Sequence, residues 1–319
     1  MADTESHKSE EHWERAILEK VALAAVQEQR RARHWGIFFK LLLFIYLFAL
    51  LFLAMGWWGK KDSLPGKHTA LVEVRGVIGP EGSASADNVT TGLQDAFKDK
   101  RTQGVVIRIN SPGGSPVQAG HINDEIRRLR EKYPNIPLYA VVEDICASGG
   151  YYVAVAADQI FVDKSSIIGS IGVLMDGFGF TGAMEKLGVE RRLLAAGENK
   201  GFLDPFSPIE DSQKAHAQNM LGEIHQQFIN VVRQGRGDRL KETPDMFSGL
   251  LWIGTKSIEL GLADALGSVE YVAREVIKAE DIVDFTPREN IAERVVRRFG
   301  AAMAETLLRL GTVNALTIR

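Results

Sequence analysis

Leu41–Trp58 reads LLLFIYLFALLFLAMGWW, 18 consecutive residues without a charge. At ~1.5 Å per residue such a stretch spans about 27 Å as a helix, close to the hydrocarbon thickness of a bilayer. Extending it back to Ile37 takes in Lys40, whose aliphatic stem can carry the ammonium out to the headgroups. Trp35, Trp57 and Trp58 stand at the two edges, where aromatic rings collect at membrane interfaces. A cleaved signal peptide needs a short leader and a small-residue cleavage site. Here the preceding segment is long and the Ala54–Gly56 region is a poor site. Residues 37–58 are therefore expected to be an uncleaved transmembrane helix. Arg30, Arg31, Arg33 and Lys40 slightly outnumber Lys60, Lys61 and Lys67, which places the N-terminus in the cytoplasm. The bulk of the chain is then extracytoplasmic, in the periplasm if the cell is bacterial and the membrane its inner one.

The flanks differ from one another. Residues 1–36 are dense in charge. Trp13, Ile17, Leu18, Val21, Ala22 and Ala25 share one face of a weak amphipathic helix, but a mobile or loosely helical cytoplasmic segment is the favoured expectation. Residues 59–68 read as a polar linker with Gly59, Pro65 and Gly66. From residue 69 to 287 strands and helices alternate. Leu71–Ile78, Gly104–Asn110, the PLYAVVED stretch and Gln159–Val162 are strand candidates, and Val189–Leu194 is a further short one. Val89, Leu93 and Phe97 mark one helix, Val117 to about Tyr133 a second, and Ile209–Arg233 a third, long one. This order predicts an α/β domain with a largely parallel sheet, whose sites collect at the carboxyl ends of strands. Residues 288–319 form an amphipathic C-terminal tail. Ile291, Val295, Phe299, Met303 and Leu307 recur at four-residue steps with arginines around them, a helix suited to a neighbouring protomer or, second, to a membrane surface.

Several function classes drop out early. A net charge of −3 gives no drive toward nucleic acid, the single cysteine forbids an intrachain disulfide, and no zinc-ligand spacing of Cys and His occurs. No metal or cofactor is expected. What remains is the stretch ICASGGYYVA, Ile145–Ala154. Ser148 there stands between a strand and a helix start, where free N–H groups and the positive end of the helix dipole lie. A nucleophile suits that place, and so does an ordinary serine N-cap. The G-x-S-x-G elbow is absent because position 146 is Cys. A second glycine turn, Asn110–Ser115 (NSPGGS), also follows a strand and can aim backbone N–H groups at a developing oxyanion. For a base, His216 and His225 read as a solvated face of the long helix, and His121 as lining another helix. Lys200, in AAGENKGFLDPF, reads either as a surface lysine or as a base made neutral by desolvation or nearby positive charge. Cys146 reads as packed within its strand.

ICASGGYYVA, NSPGGS, IIGSIGV (Ile167–Val173) and AAGENKGFLDPFSP together resemble the signal peptide peptidase A family of membrane serine proteases, in its short form with one copy of the catalytic unit. GLLWIGTKSIELGLADALG (Gly249–Gly267) resembles that family's C-terminal segment, so the resemblance runs from about residue 69 to 275. It implies a crotonase-like (Clp protease-like) fold and a Ser-Lys dyad. Ser148 would be the nucleophile, Lys200 the general base, and Gly114 and Gly149 the oxyanion donors, with Ser170 bonding the lysine amine. It also implies a homo-oligomeric ring in which serine and lysine meet across a protomer boundary.

The expectation is thus a membrane-anchored serine endopeptidase acting on extended apolar peptides, such as signal-peptide remnants, beside membrane lipid. Two other readings compete. An acyl-CoA hydratase or isomerase would use the same glycine-built oxyanion hole without needing Ser148 or Lys200. A non-catalytic membrane scaffold would assemble but turn over no peptide.

Overall fold

The computed structural model describes residues 2–54 and 66–287. Most of the expected linker, and the expected helix Glu289–Leu310, lie outside the described residues. The chain divides into two units, one containing the N-terminal helix and the other spanning Asp62–Arg288.

Helix α1 runs without a break over Ala2–Ala54, at ~1.5 Å per residue a rod of about 80 Å. The segment expected over residues 1–36 to be mobile or loosely helical is helical from Ala2 onward. Residues 2–35 contain neither Gly nor Pro and are rich in Ala, Glu, Gln, Lys and Arg, the best helix formers. Within α1, Gln27–Phe52 is long and apolar enough to cross a membrane: an 18-residue stretch of it has a mean hydropathy of 2.3, and none of that stretch is buried against protein.

The second unit is a mixed α/β body. In chain order its elements are β1 (His68–Arg75), α2 (Ala86–Lys98), β2 (Thr102–Ser111), α3 (Pro116–Lys132), β3 (Leu138–Ala147) and α4 (Gly149–Ala154). Then come β4 (Gln159–Val162), β5 (Ile167–Gly169), α5 (Thr181–Lys186), α6 (Asp211–Arg236), β6 (Leu251–Ile253) and α7 (Gly254–Glu259). The body closes with β7 (Ala265–Leu266), α8 (Val269–Tyr271), which widens into a π-helical turn over Val272–Ile277, and β8 (Ile282–Asp284). The strands form one sheet in the order β6-β5-β3-β2-β1-β8, with β4 and β7 branching from β3. Every pairing is parallel except β5 with β6.

Parallel strands buried on both faces read as nearly continuous apolar runs. VVIRI in β2 and YAVV in β3 follow that rule. Val105, Ile107 and Ile109 pack with Val89, Leu93, Ile122 and Ile126 of α2 and α3 on one face. Val106 and Val141 pack with Val269 and Val272 on the other. β3 is the strand that shapes the site. Val142 pairs with Ile109, but the next pairing joins Cys146 to Ser111, so Glu143 and Asp144 bulge out of register. β4 pairs with β3 before the bulge, at Tyr139–Val141, and β5 after it, at Ile145–Ala147. A bulge bends a strand and re-aims the residues beyond it. At the end of β3 the residue so re-aimed is Ser148.

α4 is held from below by buried polar contacts. The Tyr151 hydroxyl donates to the Leu262 carbonyl at 2.8 Å. The Arg236 guanidinium, 1% exposed, binds both oxygens of Asp264 at 2.8 and 2.9 Å, and Ile160 N–H donates to the same carboxylate at 2.7 Å.

The expected strand Val189–Leu194 does not form. The segment from residue 189 to 195 has no sheet partner and its side chains are exposed, Leu194 by 97%. A strand exists only through a hydrogen-bonded neighbour, and among the described residues none lies beside this one.

Candidate active site

Ser148 follows β3 directly and precedes the first turn of α4. Its backbone sits at φ 50° and ψ −121°, in the region that a side chain makes costly, and its hydroxyl makes no capping bond to the helix. The serine is therefore not an ordinary N-cap. Strain of this kind costs on the order of 1–3 kcal/mol and persists only where the surroundings over-determine it. The surroundings do so here: Ser148 N–H donates to Gly169 O at 2.9 Å, and Tyr152 N–H returns to Ser148 O at 2.9 Å.

The turn after β2 lies against this serine. Gly113 (φ 105°) and Gly114 (φ 146°) both adopt backbone that favours glycine. A methyl on Gly113 would stand 2.7 Å from Ser148 Cβ and 2.8 Å from Gly149 N. The turn is stitched to Ile78, whose N–H donates to Gly113 O while Ser115 N–H donates to Ile78 O, each at 2.8 Å. A methyl on Gly149 would stand 3.2 Å from Gly114 N, so the two backbones carrying the expected oxyanion donors are in contact. Among the described residues neither of these N–H groups donates to a carbonyl of a turn, loop or cap.

These residues share one cavity of about 990 Å³, lined among others by Gly114, Ser148, Gly149, Ser170, Tyr152 and Phe228. Val117, Val173, Leu174 and Ile224 add apolar wall. Among the described residues, His121 and Asp124 are its only charged or titratable side chains apart from Tyr152. Burial, followed by the Asp124 charge, raises the Tyr152 hydroxyl above its ordinary pKa. Burial alone drives the Cys146 thiol far above its ordinary range, which suits a packed strand residue and not a nucleophile.

The structure thus unites Ser148, Gly114, Gly149 and Ser170, and does not unite them with Lys200. Lys200 is exposed in a run of turns and is absent from the cavity lining. Its loop leans on the N-terminal half of α6: Phe202 packs edge-on to His216 with ring centres 5.5 Å apart, and Leu203 N–H donates to Gln213 Oε1 at 3.1 Å. Ile224 and Phe228, in the other half of α6, line the serine's cavity. From His216 to Phe228 the helix rises about 18 Å.

The reading of a solvated face holds for His216, which is exposed with Phe202 edge-on to it, and is corrected for His225. His225 is half-buried with Nε2 3.1 Å from Ile171 O, across 54 positions of sequence. No local pattern announces that contact, because its partner is set by how α6 packs on the loop after β5.

Comparison with known proteins gives one peptidase family and relatives under more than one kind of name. The family model for peptidase family S49 matches residues 130–283. "Putative protease slr0021" of Synechocystis sp. is 30% identical over 64% of this chain and 71% of its own length. "Putative signal peptide peptidase SppA" of Enterococcus faecium is 29% identical over 71% of this chain and 67% of its own. A protein of Brucella abortus named "Na(+)/H(+) antiporter NhaA" is 46% identical over 57% of this chain, a match that covers only 25% of that protein's length.

Proposed function

This chain belongs to peptidase family S49, and on that premise we propose that it is a membrane-anchored serine endopeptidase working through Ser148 and Lys200. The observation that carries the proposal is the strained, uncapped Ser148 beside two glycine N–H groups in an apolar cavity. A packing serine has no need of a backbone at φ 50°. A nucleophile gains from it, because the turn lifts the hydroxyl out of the strand and toward the cavity.

In the proposed cycle neutral Lys200 takes the Ser148 proton and Oγ attacks the scissile carbonyl. The carbonyl oxygen gathers charge, which Gly114 and Gly149 N–H receive. The protonated lysine passes its proton to the leaving amine, and water repeats the sequence on the ester. Ser170 accepts or donates a hydrogen bond at the lysine amine and so orients it. The body is read as a crotonase-like (Clp protease-like) fold, in keeping with its branched, largely parallel sheet.

Lys200 is read as acting on the serine of a neighbouring chain in a homo-oligomeric ring. The separation along α6 supports this, and so does the surface between residues 174 and 209. Leu174, Phe178, Leu187 and Leu194 are each 78% exposed or more there, an apolar area that a neighbouring chain would cover. Extended apolar peptides, signal-peptide remnants among them, fit the cavity wall. The span within α1 would anchor the enzyme with its N-terminus cytoplasmic and its body periplasmic, close to such substrates.

The test mixes two inactive proteins. Ser148→Ala and Lys200→Ala should each abolish peptide cleavage while remaining folded, and their co-assembly should restore part of it. Assembled mixtures that stay inactive would return the dyad to a single chain, and a folded, fully active Lys200→Ala would remove it. A histidine base is the second reading, favoured by one fact: His121 lines the cavity and Lys200 does not. It predicts that His121→Ala is inactive and Lys200→Ala active.

A further inference from the structure

Four residues other than glycine have positive φ among those described, and three of them lie in the segments of the proposed site: Ser148, Ser170 and Leu203. Ser170 (φ 51°) stands in the cavity, and Leu203 (φ 54°) stands three positions after Lys200. Each of these backbones must be held by something outside its own segment. Ser170 N–H donates to Leu250 O at 2.7 Å, and Gly172 N–H turns back to Ser170 O at 2.9 Å. The residue between them, Ile171, is buried, and its carbonyl meets His225. On the other loop, Leu203 N–H meets Gln213 Oε1 directly. Both holding side chains come from α6.

We infer that Gln213 and His225 are positioning residues, through which α6 fixes the loop bearing Lys200 and the loop bearing Ser170. The inference rests on the Ser148–Lys200 reading above. The chemistry at each end is specific. A carbonyl such as Ile171 O needs a donor, so His225 holds it through Nε2–H, available in one neutral tautomer and in the cation. A backbone N–H needs an acceptor, so Gln213 holds Leu203 through its amide oxygen. The two contacts are twelve positions apart on one helix, about 18 Å along its axis. A rigid 26-residue helix thus relates the two loops at a fixed distance, whether the dyad closes within one chain or between two. Neither side chain touches a reacting atom. Each acts through the backbone on which a reacting residue stands, and a shift on the order of 1 Å at such a place costs up to about 100-fold in rate.

The experiment uses the full-length enzyme in detergent and a fluorogenic apolar peptide. His225→Leu and Gln213→Leu keep much of the volume and remove the bond; His225→Gln keeps a donor and Gln213→Glu keeps an acceptor. We expect each leucine variant to lose about 10- to 100-fold in kcat with KM changed less than about twofold, and the conservative variants to recover most of that loss. Should a leucine variant fail to fold, the alanine variant carries the same expectation. Folded leucine or alanine variants with wild-type kcat, or conservative variants as slow as the leucine ones, overturn the inference. Ser148→Ala and Lys200→Ala run alongside. If they are inactive while the α6 variants are normal, only the positioning role falls; if they are active, the dyad itself falls.

Discussion

Replacing Gly149 by alanine separates the chemistry of the proposed oxyanion hole from the stability of the fold. Gly149 opens α4 and its φ is not one of the positive values, so alanine suits the backbone. The added methyl would meet Ala119 Cβ and Gly113 Cα at 3.5 Å each, ordinary van der Waals distances. Its one tight contact is Gly114 N at 3.2 Å, which a shift of a few tenths of an ångström relieves. Alanine also gains up to about 1 kcal/mol over glycine in a helix, less at its first residue. Crowding and propensity then nearly cancel, and unfolding free energy should stay within about 1 kcal/mol of wild type. Activity should not. The methyl fills the space beside Gly114 N–H, and the relieving shift carries one of two donors away from the oxyanion. Loss of a donor outright costs about 10²–10³-fold in kcat, so a partial displacement should cost at least about 10-fold. Urea titration together with kcat/KM on an apolar peptide checks both halves. A folded Gly149→Ala enzyme within about threefold of wild type would refute the placement of the oxyanion between Gly114 and Gly149.

Asp264→Asn should destabilise the protein by about 3–5 kcal/mol in urea titration, because it leaves the Arg236 charge buried and unpaired. The same pair predicts a pH dependence. Burial raises the Asp264 pKa, but the Arg236 hydrogen bonds and charge, with Ile160 N–H and Arg239, outweigh it and hold the carboxyl below its usual value. A depressed folded pKa stabilises fully above the unfolded value of about 3.9. That contribution should disappear as pH falls through the folded value, and the Asp264→Asn protein should lack that part of the acid sensitivity. Iodoacetamide at mildly alkaline pH should leave the folded enzyme active and Cys146 unmodified, since that thiol is fully buried and driven toward its neutral form. Inactivation tracking alkylation of Cys146 would bring the cysteine back as a nucleophile.

The sequence by itself determined the features that depend on residues a few positions apart. The apolar run within α1, the strand–turn–helix order of the body, and the glycine turns after β2 and β3 all follow from local periodicity and backbone preference. The order of ICASGGYYVA, NSPGGS and IIGSIGV carried the family as well. Tertiary structure decided where those pieces meet. The Glu143–Asp144 bulge depends on the register of β3 against β2, and it brings Ser148 beside Gly113 and Gly114. His225 read as part of a solvated helix face and nothing in the sequence singled out Gln213; only the packing of α6 gives them the Ile171 carbonyl and the Leu203 amide. Val189–Leu194 has the composition of a strand and stays unpaired, because a strand needs a neighbour that sequence periodicity cannot provide. Lys200 stands apart from Ser148 for a related reason. Two segments 52 positions apart are joined only by packing, and the Lys200 loop packs on the N-terminal half of α6 while residues of the other half line the serine's cavity.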